Sequence, residues 1–170
     1  MNYYNEIKNK LIDNEIYSKV KDYSKERNTV ITYFEIGKLL YEAGSKYGES
    51  IIEKYSSKLI NEVGKKYNKR TLFRMRQFYK VFSDEKVSAP LTQLSCSHYF
   101  ELISLKNINE INYYITLSIN QNLNYRQLHD KIKNKEYERL SNRTKLKLIK
   151  KEDTQVEDLI KNPSATVKVV

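Results

Sequence analysis

The sequence predicts an all-α fold, a compact multi-helix domain with two helix-turn-helix-like units. Three observations lead to this prediction. Glycine (4) and proline (2) are scarce among the 170 residues. Long stretches without either residue place apolar side chains three and four positions apart, which is the spacing of one helix face. No segment shows the strict alternation of apolar and polar residues that a half-buried strand requires.

Composition and charge narrow the class of protein. A chain that is 39% hydrophobic and 31% charged lies in the globular range, and its length allows one domain or two small lobes. The 31 lysine and arginine residues exceed the 21 aspartate and glutamate residues, so the net charge is +10 and a polyanionic partner such as nucleic acid is favoured. No apolar run approaches the roughly 18 residues of a membrane span, and the N-terminus does not resemble a signal peptide. With Cys96 as the only cysteine, we expect a cytoplasmic protein without disulfides.

The N-terminal part is predicted to contain one long helix over about residues 15–41, preceded by Asp13 or Asn14 as its cap and ended by Gly44 and Gly48. Its apolar stripe consists of Ile16, Val20, Tyr23, Val30, Phe34 and Tyr41. A helix of this length with a continuous stripe could pair with a second copy or with a partner protein.

Two further helices are predicted before the middle of the chain. One covers about residues 49–63 and closes at Gly64 in the left-handed region. The next is capped by Asn68, runs to about Phe82, and has as its inward residues Leu72, Met75, Tyr79 and Phe82. Residues 83–90 are predicted to form a loop between two lobes, at about 1–83 and 91–150.

The second lobe is predicted to hold three helices. Ser95 precedes a helix over about residues 96–105, and Asn107 or Asn109 begins one that reaches about Gln121. The turn Asn122-Leu123-Asn124 leads to a helix that buries Leu128 and Ile132, after which a basic stretch runs over residues 133–151. Residues 151–170 have no packing pattern and are expected to form a linker or frayed tail.

The first helix-turn-helix candidate covers residues 55–82. If its second helix buries the apolar face, Arg70, Arg74 and Gln77 lie outward and match the donors and acceptors of guanine, adenine or phosphate. Lys69, Arg76 and Lys80 flank them, and Lys65 and Lys66 in and near the turn are predicted to contact the phosphate backbone. A solvated basic helix face that touches no DNA is the alternative interpretation.

The second candidate covers residues 111–133. Its outward polar residues are Arg126, Gln127, Lys131 and Lys133, and we include Arg126 and Lys131 among the predicted DNA-binding residues. The basic stretch that follows contains Lys135, Arg139, Arg143, Lys145, Lys147, Lys150 and Lys151. Either a surface that follows phosphates or a solvated helix fits this pattern.

No catalytic, metal or cofactor site is predicted. His98 and His129 belong to no nucleophile or metal motif, and His98 is expected to cap or pack a helix. Cys96 lies at a predicted helix N-terminus, where the helix dipole could lower the thiol pKa, although packing is the simpler interpretation. The scattered carboxylates form no nuclease motif, and glycine-rich phosphate loops are absent.

The 15 tyrosines allow two interpretations. Exposed tyrosine rings can stack on nucleic-acid bases. In a chain without tryptophan, tyrosines can equally serve as the large residues of the core.

Several segments resemble the N-terminal domain of the bacterial YhcG family, in order along about residues 3–145. They are Tyr33-Phe34-Glu35-Ile36-Gly37, Arg70-Thr71-Leu72-Phe73-Arg74-Met75-Arg76-Gln77-Phe78-Tyr79, Leu94-Ser95-Cys96-Ser97-His98-Tyr99, Ile111-Asn112-Tyr113-Tyr114 and Asn124-Tyr125-Arg126-Gln127-Leu128. Phe34 and Cys96 stand where the family commonly has tryptophan. The resemblance implies a helical DNA-recognition or adaptor role, usually followed by a PD-(D/E)XK nuclease domain. The present chain stops about where that nuclease domain would begin, so we expect the domain to be absent.

Two functions therefore follow as expectations. The first is a non-catalytic module that binds nucleic acid, double-stranded DNA above all, through a basic helix. The alternative is a protein-interaction or dimerisation module, acting through the long N-terminal helix without direct DNA contact.

Overall fold

The computed structural model describes residues 2–19, 25–84, 87, 91 and 93–150. Over these residues the chain forms helices and no strand, so the predicted all-α fold is confirmed. The helices are α1 (Tyr3–Lys19), α2 (Lys25–Tyr47), α3 (Ser50–Glu62), α4 (Lys69–Phe82), α5 (Cys96–Leu102), α6 (Ile108–Asn120), α7 (Tyr125–Lys133) and α8 (Asn142–Lys150).

The chain divides into two compact units, the first ending at Ile103 and the second beginning at Ser104. The division lies after α5 and not in the predicted loop at residues 83–90. The reason is aromatic packing, because Tyr99 of α5 stacks on Phe78 and meets Phe82 edge-to-face, with ring centroids 4.8 Å and 4.9 Å apart. α5 therefore completes the core of the first unit.

The prediction of one long N-terminal helix is wrong. The hydroxyl of Thr29 donates to Oδ1 of Asn14 over 3.2 Å, and Nζ of Lys10 lies 2.7 Å from Oε2 of Glu35. In a continuous helix Asn14 and Thr29 would be about 22 Å apart, so α1 and α2 must instead lie side by side. Asn14 is consequently a buried residue between the two helices and not an N-cap. Val20 and Tyr23 of the predicted stripe lie outside the described residues.

The core of the first unit forms around α2, which packs against α1, α3, α4 and α5. Its fully buried side chains include Ile7, Leu11, Ile36, Leu40, Ile52, Leu59, Tyr67, Leu72, Met75 and Phe78. Gly37 allows α2 and α4 to approach closely, since a Cβ built there would lie 2.2 Å from the carbonyl oxygen of Met75. Gly44, which we expected to end α2, is buried inside it, and the helix ends before Gly48, whose φ is +84°.

The helix boundaries around α4 follow the predicted signals with two corrections. Asn68 caps α4 by accepting a hydrogen bond from the backbone N–H of Thr71. Phe78 is fully buried, whereas Tyr79, predicted to face inward, is only half-buried. The left-handed conformation predicted for Gly64 is wrong, because its φ lies outside the left-handed region. The N–H groups of Val63 and Gly64 both bond to the carbonyl of Leu59 where α3 ends.

The second unit is built on α6, which packs against α7 and α8. Asn107 caps α6, and Asn124 caps α7 through a capping box in which the Gln127 side chain accepts from the Asn124 backbone N–H. Asn122, in the turn between the two helices, has a φ of 48°. The buried apolar side chains of this unit are Ile111, Tyr113, Tyr114, Ile115, Leu128, Tyr137 and Leu140.

Candidate nucleic-acid interface

The turn between α3 and α4 is fixed by buried contacts. Tyr67 is fully buried in the turn, and its backbone carbonyl accepts a hydrogen bond from the hydroxyl of Ser56 in α3. Its own hydroxyl donates to the carboxylate of Glu15 in α1. The next residue, Asn68, then caps α4. The direction of α4 is thereby determined by contacts to two other helices.

The outer edge of α4, defined as Arg70, Gln77 and Lys80, is exposed to solvent. Arg70 and Gln77 lie seven residues apart and therefore two helical turns apart on one face. In the described part of the chain, none of the three side chains has a hydrogen-bonding or ionic partner within the first unit. Three of the residues predicted for DNA contact are thus available at this edge.

The other two arginines of α4 are engaged in protein contacts. Arg74 is half-buried, and its guanidinium lies 5.5 Å from the ring centroid of Phe100 in α5. Arg76 forms an ion pair with Glu49, lies 4.9 Å from the ring centroid of Phe73, and has a side chain only 20% exposed. Both guanidinium groups therefore help to hold α4 in place.

The lysines around the turn are also of two kinds, either exposed or paired with a carboxylate. Lys65 is exposed, while Lys66 is paired with Glu15 and Lys69 with Glu53, the latter at 3.0 Å. A partly exposed ion pair contributes at most about 1 kcal/mol, so a phosphate can replace the carboxylate at little cost. Of the three, Lys65 needs no such exchange.

The second unit places its two predicted residues differently. Arg126 is exposed and lies over the ring of Tyr125, with 5.8 Å between guanidinium and centroid. Lys131 is half-buried and pairs with Glu136 at 3.3 Å. Gln127, predicted to face outward, is exposed, but its side chain is used in the capping box of α7. Arg126 is therefore the more accessible of the two predicted contacts.

The basic stretch after α7 is only partly helical. Residues 134–139 form turns, with Lys135 at a φ of 52°, and α8 follows from Asn142. Lys145 donates to the carbonyl of Glu138 and lies 5.3 Å from the ring centroid of Tyr137. Arg143 and Lys150 are exposed on α8, whereas Lys151 lies outside the described residues.

The residues tested for catalysis take part in packing. Nδ1 of His98 lies 2.7 Å from the Oγ of Ser95, across the first turn of α5. Burial, together with the nearby charge of Glu26, raises the pKa of the Cys96 thiol to about 12. The lowered pKa considered for a thiol at a helix N-terminus is therefore wrong, since desolvation outweighs the backbone hydrogen bond that acts in the opposite direction. Over the described residues, no group of three or more His, Cys, Asp or Glu side chains could hold a metal ion.

The sequence interpretation missed the contacts that hold α4. Glu15, Glu49 and Phe100 each bind a residue of the α4 region, but each lies far from it along the chain. No local spacing could have indicated these pairs.

Among the helices that the structure describes, none is both long enough and apolar enough to cross a membrane.

These observations define the class of protein. It is an all-helical chain with two compact units and an exposed basic edge on a capped helix. Residues 9–139 match the family described as the DUF1016 N-terminal domain. The chain belongs to this family, and the resemblance to YhcG-type N-terminal domains is confirmed. A catalytic domain was not found by this comparison. No curated protein and no solved structure matched the chain.

Proposed function

We propose that the chain is a non-catalytic DNA-binding module and that the outer edge of α4 contacts double-stranded DNA. The observation that carries the proposal is the exposure of Arg70, Gln77 and Lys80 on a helix whose direction is fixed by buried contacts. The net charge of +10 adds a general attraction to phosphates.

The three side chains have suitable chemistry for a groove. Arg70 lies in the first turn of α4, and the N-terminal end of a recognition helix enters the major groove first. Its guanidinium can donate two hydrogen bonds to one guanine or one phosphate, while the Gln77 amide can pair with adenine. Lys80 and Lys65, as point charges at the two ends of the edge, suit phosphates.

The engaged cations have a different role in this proposal. Arg74 and Arg76 keep α4 against α5 and the start of α3, so their loss should reduce stability as well as binding. Lys66 and Lys69 add affinity by exchanging Glu15 and Glu53 for phosphates. We assign Arg126 and Lys131 to a secondary contact from the second unit.

The test is a fluorescence-anisotropy titration with labelled double-stranded DNA at two salt concentrations. The variant Arg70→Ala/Lys80→Ala should bind more weakly than wild type and keep its helical circular dichroism. Wild-type log K should fall by about 0.9 for each neutralised phosphate per log unit of salt, and the variant should show a smaller slope.

The matched control is Arg27→Ala/Lys106→Ala, which removes the same two types of charge from exposed positions outside α4. Equal loss of affinity in both double variants would mean that net charge alone drives the binding, and it would reject the role of α4. Absent or salt-insensitive binding by wild type would reject DNA binding altogether. The dimerisation hypothesis would then be tested by light scattering on wild type, since a charge placed at Phe34 would disturb its packing on Phe78 and Tyr79 as well as any dimer contact.

A further inference from the structure

Tyr41 and Tyr79 form an aromatic pair at the surface where α2 meets α4. Their ring centroids are 5.8 Å apart, and Tyr79 also packs on Phe34, at 5.2 Å. Tyr41 is 44% exposed, whereas Tyr79 and Phe34 are half-buried. The three rings thus run from the interior to the solvent, and Tyr41 is the open end.

The position of Tyr79 in this pair is set by the close approach of α2 and α4. Gly37 lies between Phe34 and Tyr41 on α2, and a Cβ built on it would lie 2.9 Å from the Cβ of Tyr79. The close approach of the two helices therefore presses Tyr79 against α2, where it supports Tyr41. A ring already held in place loses little conformational entropy when it binds a flat ligand.

Each tyrosine of the aromatic pair has an exposed lysine near it along its own helix. Lys38 lies one turn before Tyr41 on the exposed face of α2, and Lys80 follows Tyr79 on α4. In the described part of the chain neither lysine has an ionic partner within this unit. Of the nearby acids, Glu35 is paired with Lys10 and Glu42 is half-buried. The surface therefore combines an exposed ring with two available cations, as in sites that bind single-stranded nucleic acid.

We propose that Tyr41 stacks on an unpaired base of single-stranded DNA while Lys38 and Lys80 contact the flanking phosphates. This inference rests on the proposed DNA-binding function, because Lys80 belongs to both surfaces. Bases inside a duplex are covered on both faces by their neighbours, so a protein ring can stack only on an unpaired or terminal base. The preferred ligand is then DNA in which a duplex adjoins a single strand.

The absence of tryptophan from the chain allows a direct test. In Tyr41→Trp the single indole reports on its own surroundings, and stacking of a base should quench its fluorescence when oligothymidylate is added. The control is Tyr17→Trp, since Tyr17 is 57% exposed on α1, away from this pair. Quenching at position 41 alone is expected. No quenching, or equal quenching at both positions, would overturn the proposal.

A second set of variants separates stacking from charge. Tyr41→Leu should bind labelled oligothymidylate about fivefold or more weakly, because base stacking on one aromatic ring contributes at least that factor. Tyr41→Phe keeps the ring and should bind as wild type does, and neither change should alter binding to a covalently closed circular duplex, which has no terminal base.

The outcomes distinguish the two proposals. Duplex binding that needs Arg70 and Lys80, combined with single-strand binding that Tyr41→Leu does not affect, would overturn this inference and leave the proposed function intact. Failure of wild type to bind either form of DNA would overturn both.

Discussion

The hydroxyl of Tyr67 donates a hydrogen bond to the carboxylate of Glu15, which joins the turn before α4 to α1 across 52 positions of the chain. Lys66 pairs with the same carboxylate, and Tyr33 of α2 lies close enough to Tyr67 to help raise its pKa. This polar cluster, defined as Glu15, Tyr33, Lys66 and Tyr67, connects three segments of the first unit. It therefore positions the helix that we propose binds DNA.

Tyr67→Phe should lower the free energy of unfolding by about 1 kcal/mol. The substitution leaves the buried ring in place and removes only the hydroxyl. Because the Glu15 side chain is 30% exposed, water can replace the lost donor, and the loss stays near the net value of about 1 kcal/mol of an ordinary protein hydrogen bond. Urea denaturation followed by far-UV circular dichroism measures the change. Tyr17→Phe, at an exposed position, should have an effect below about 0.5 kcal/mol, and equal effects of the two changes would contradict the role of the cluster.

The contribution of Glu15 to stability should depend on pH. Partial burial raises the pKa of the carboxyl, but hydrogen bonds from Lys66 and Tyr67 and the lysine charges lower it, so the pKa lies below its ordinary value of 4.5. A carboxylate with a lowered pKa in the folded state stabilises the protein above its unfolded-state pKa. That stabilisation is lost as the pH falls from about 4.5 through the folded-state pKa.

The measurement is the difference in unfolding free energy between wild type and Glu15→Gln at several pH values. The difference should be constant above about pH 5.5 and should shrink as the pH falls below 4.5. Subtracting the unfolding free energy of the variant removes the loss of stability at low pH that both proteins share. A difference that grows at low pH would mean that the sign of the pKa shift is wrong.

Gly37→Ala should destabilise the protein by about 3 kcal/mol. The new methyl group would lie 2.2 Å from the Met75 carbonyl oxygen, a backbone atom that cannot rotate away, so the two helices must separate. Gly64→Ala is the matched control, since a Cβ there meets no atom within 4 Å and its φ lies outside the left-handed region. This control should be neutral or stabilising by about 0.5 kcal/mol. Thermal unfolding of both variants distinguishes helix contact from a general effect of losing glycine.

Cys96 should react slowly with iodoacetamide at pH 8 in the folded protein. Burial and the charge of Glu26 raise the thiol pKa to about 12, so almost no thiolate is present. Mass spectrometry over time should show rapid alkylation once urea unfolds the chain. Equal rates in the folded and unfolded states would contradict the raised pKa.

Local signals in the sequence predicted the helices well. Asn68 and Asn124 cap α4 and α7 as expected, because a side-chain oxygen accepting from backbone N–H groups two or three residues on is a short-range interaction. The prediction of a single helix over residues 15–41 was wrong because short-range signals do not report contacts between helices. Its apolar spacing fits two helices packed side by side as well as one, and neither glycine nor proline separates α1 from α2.

The sequence by itself determined the fold class, the family, the capped helices and the excess of positive charge, since each depends on composition or on residues a few positions apart. Only the tertiary structure decided which cations of the α4 region remain available. Arg76 is paired with Glu49 and Lys66 with Glu15, whereas Arg70 and Lys80 extend into solvent. These partners meet because α1, the start of α3 and α4 pack around a common core, and no helical periodicity encodes a contact between helices so far apart along the chain.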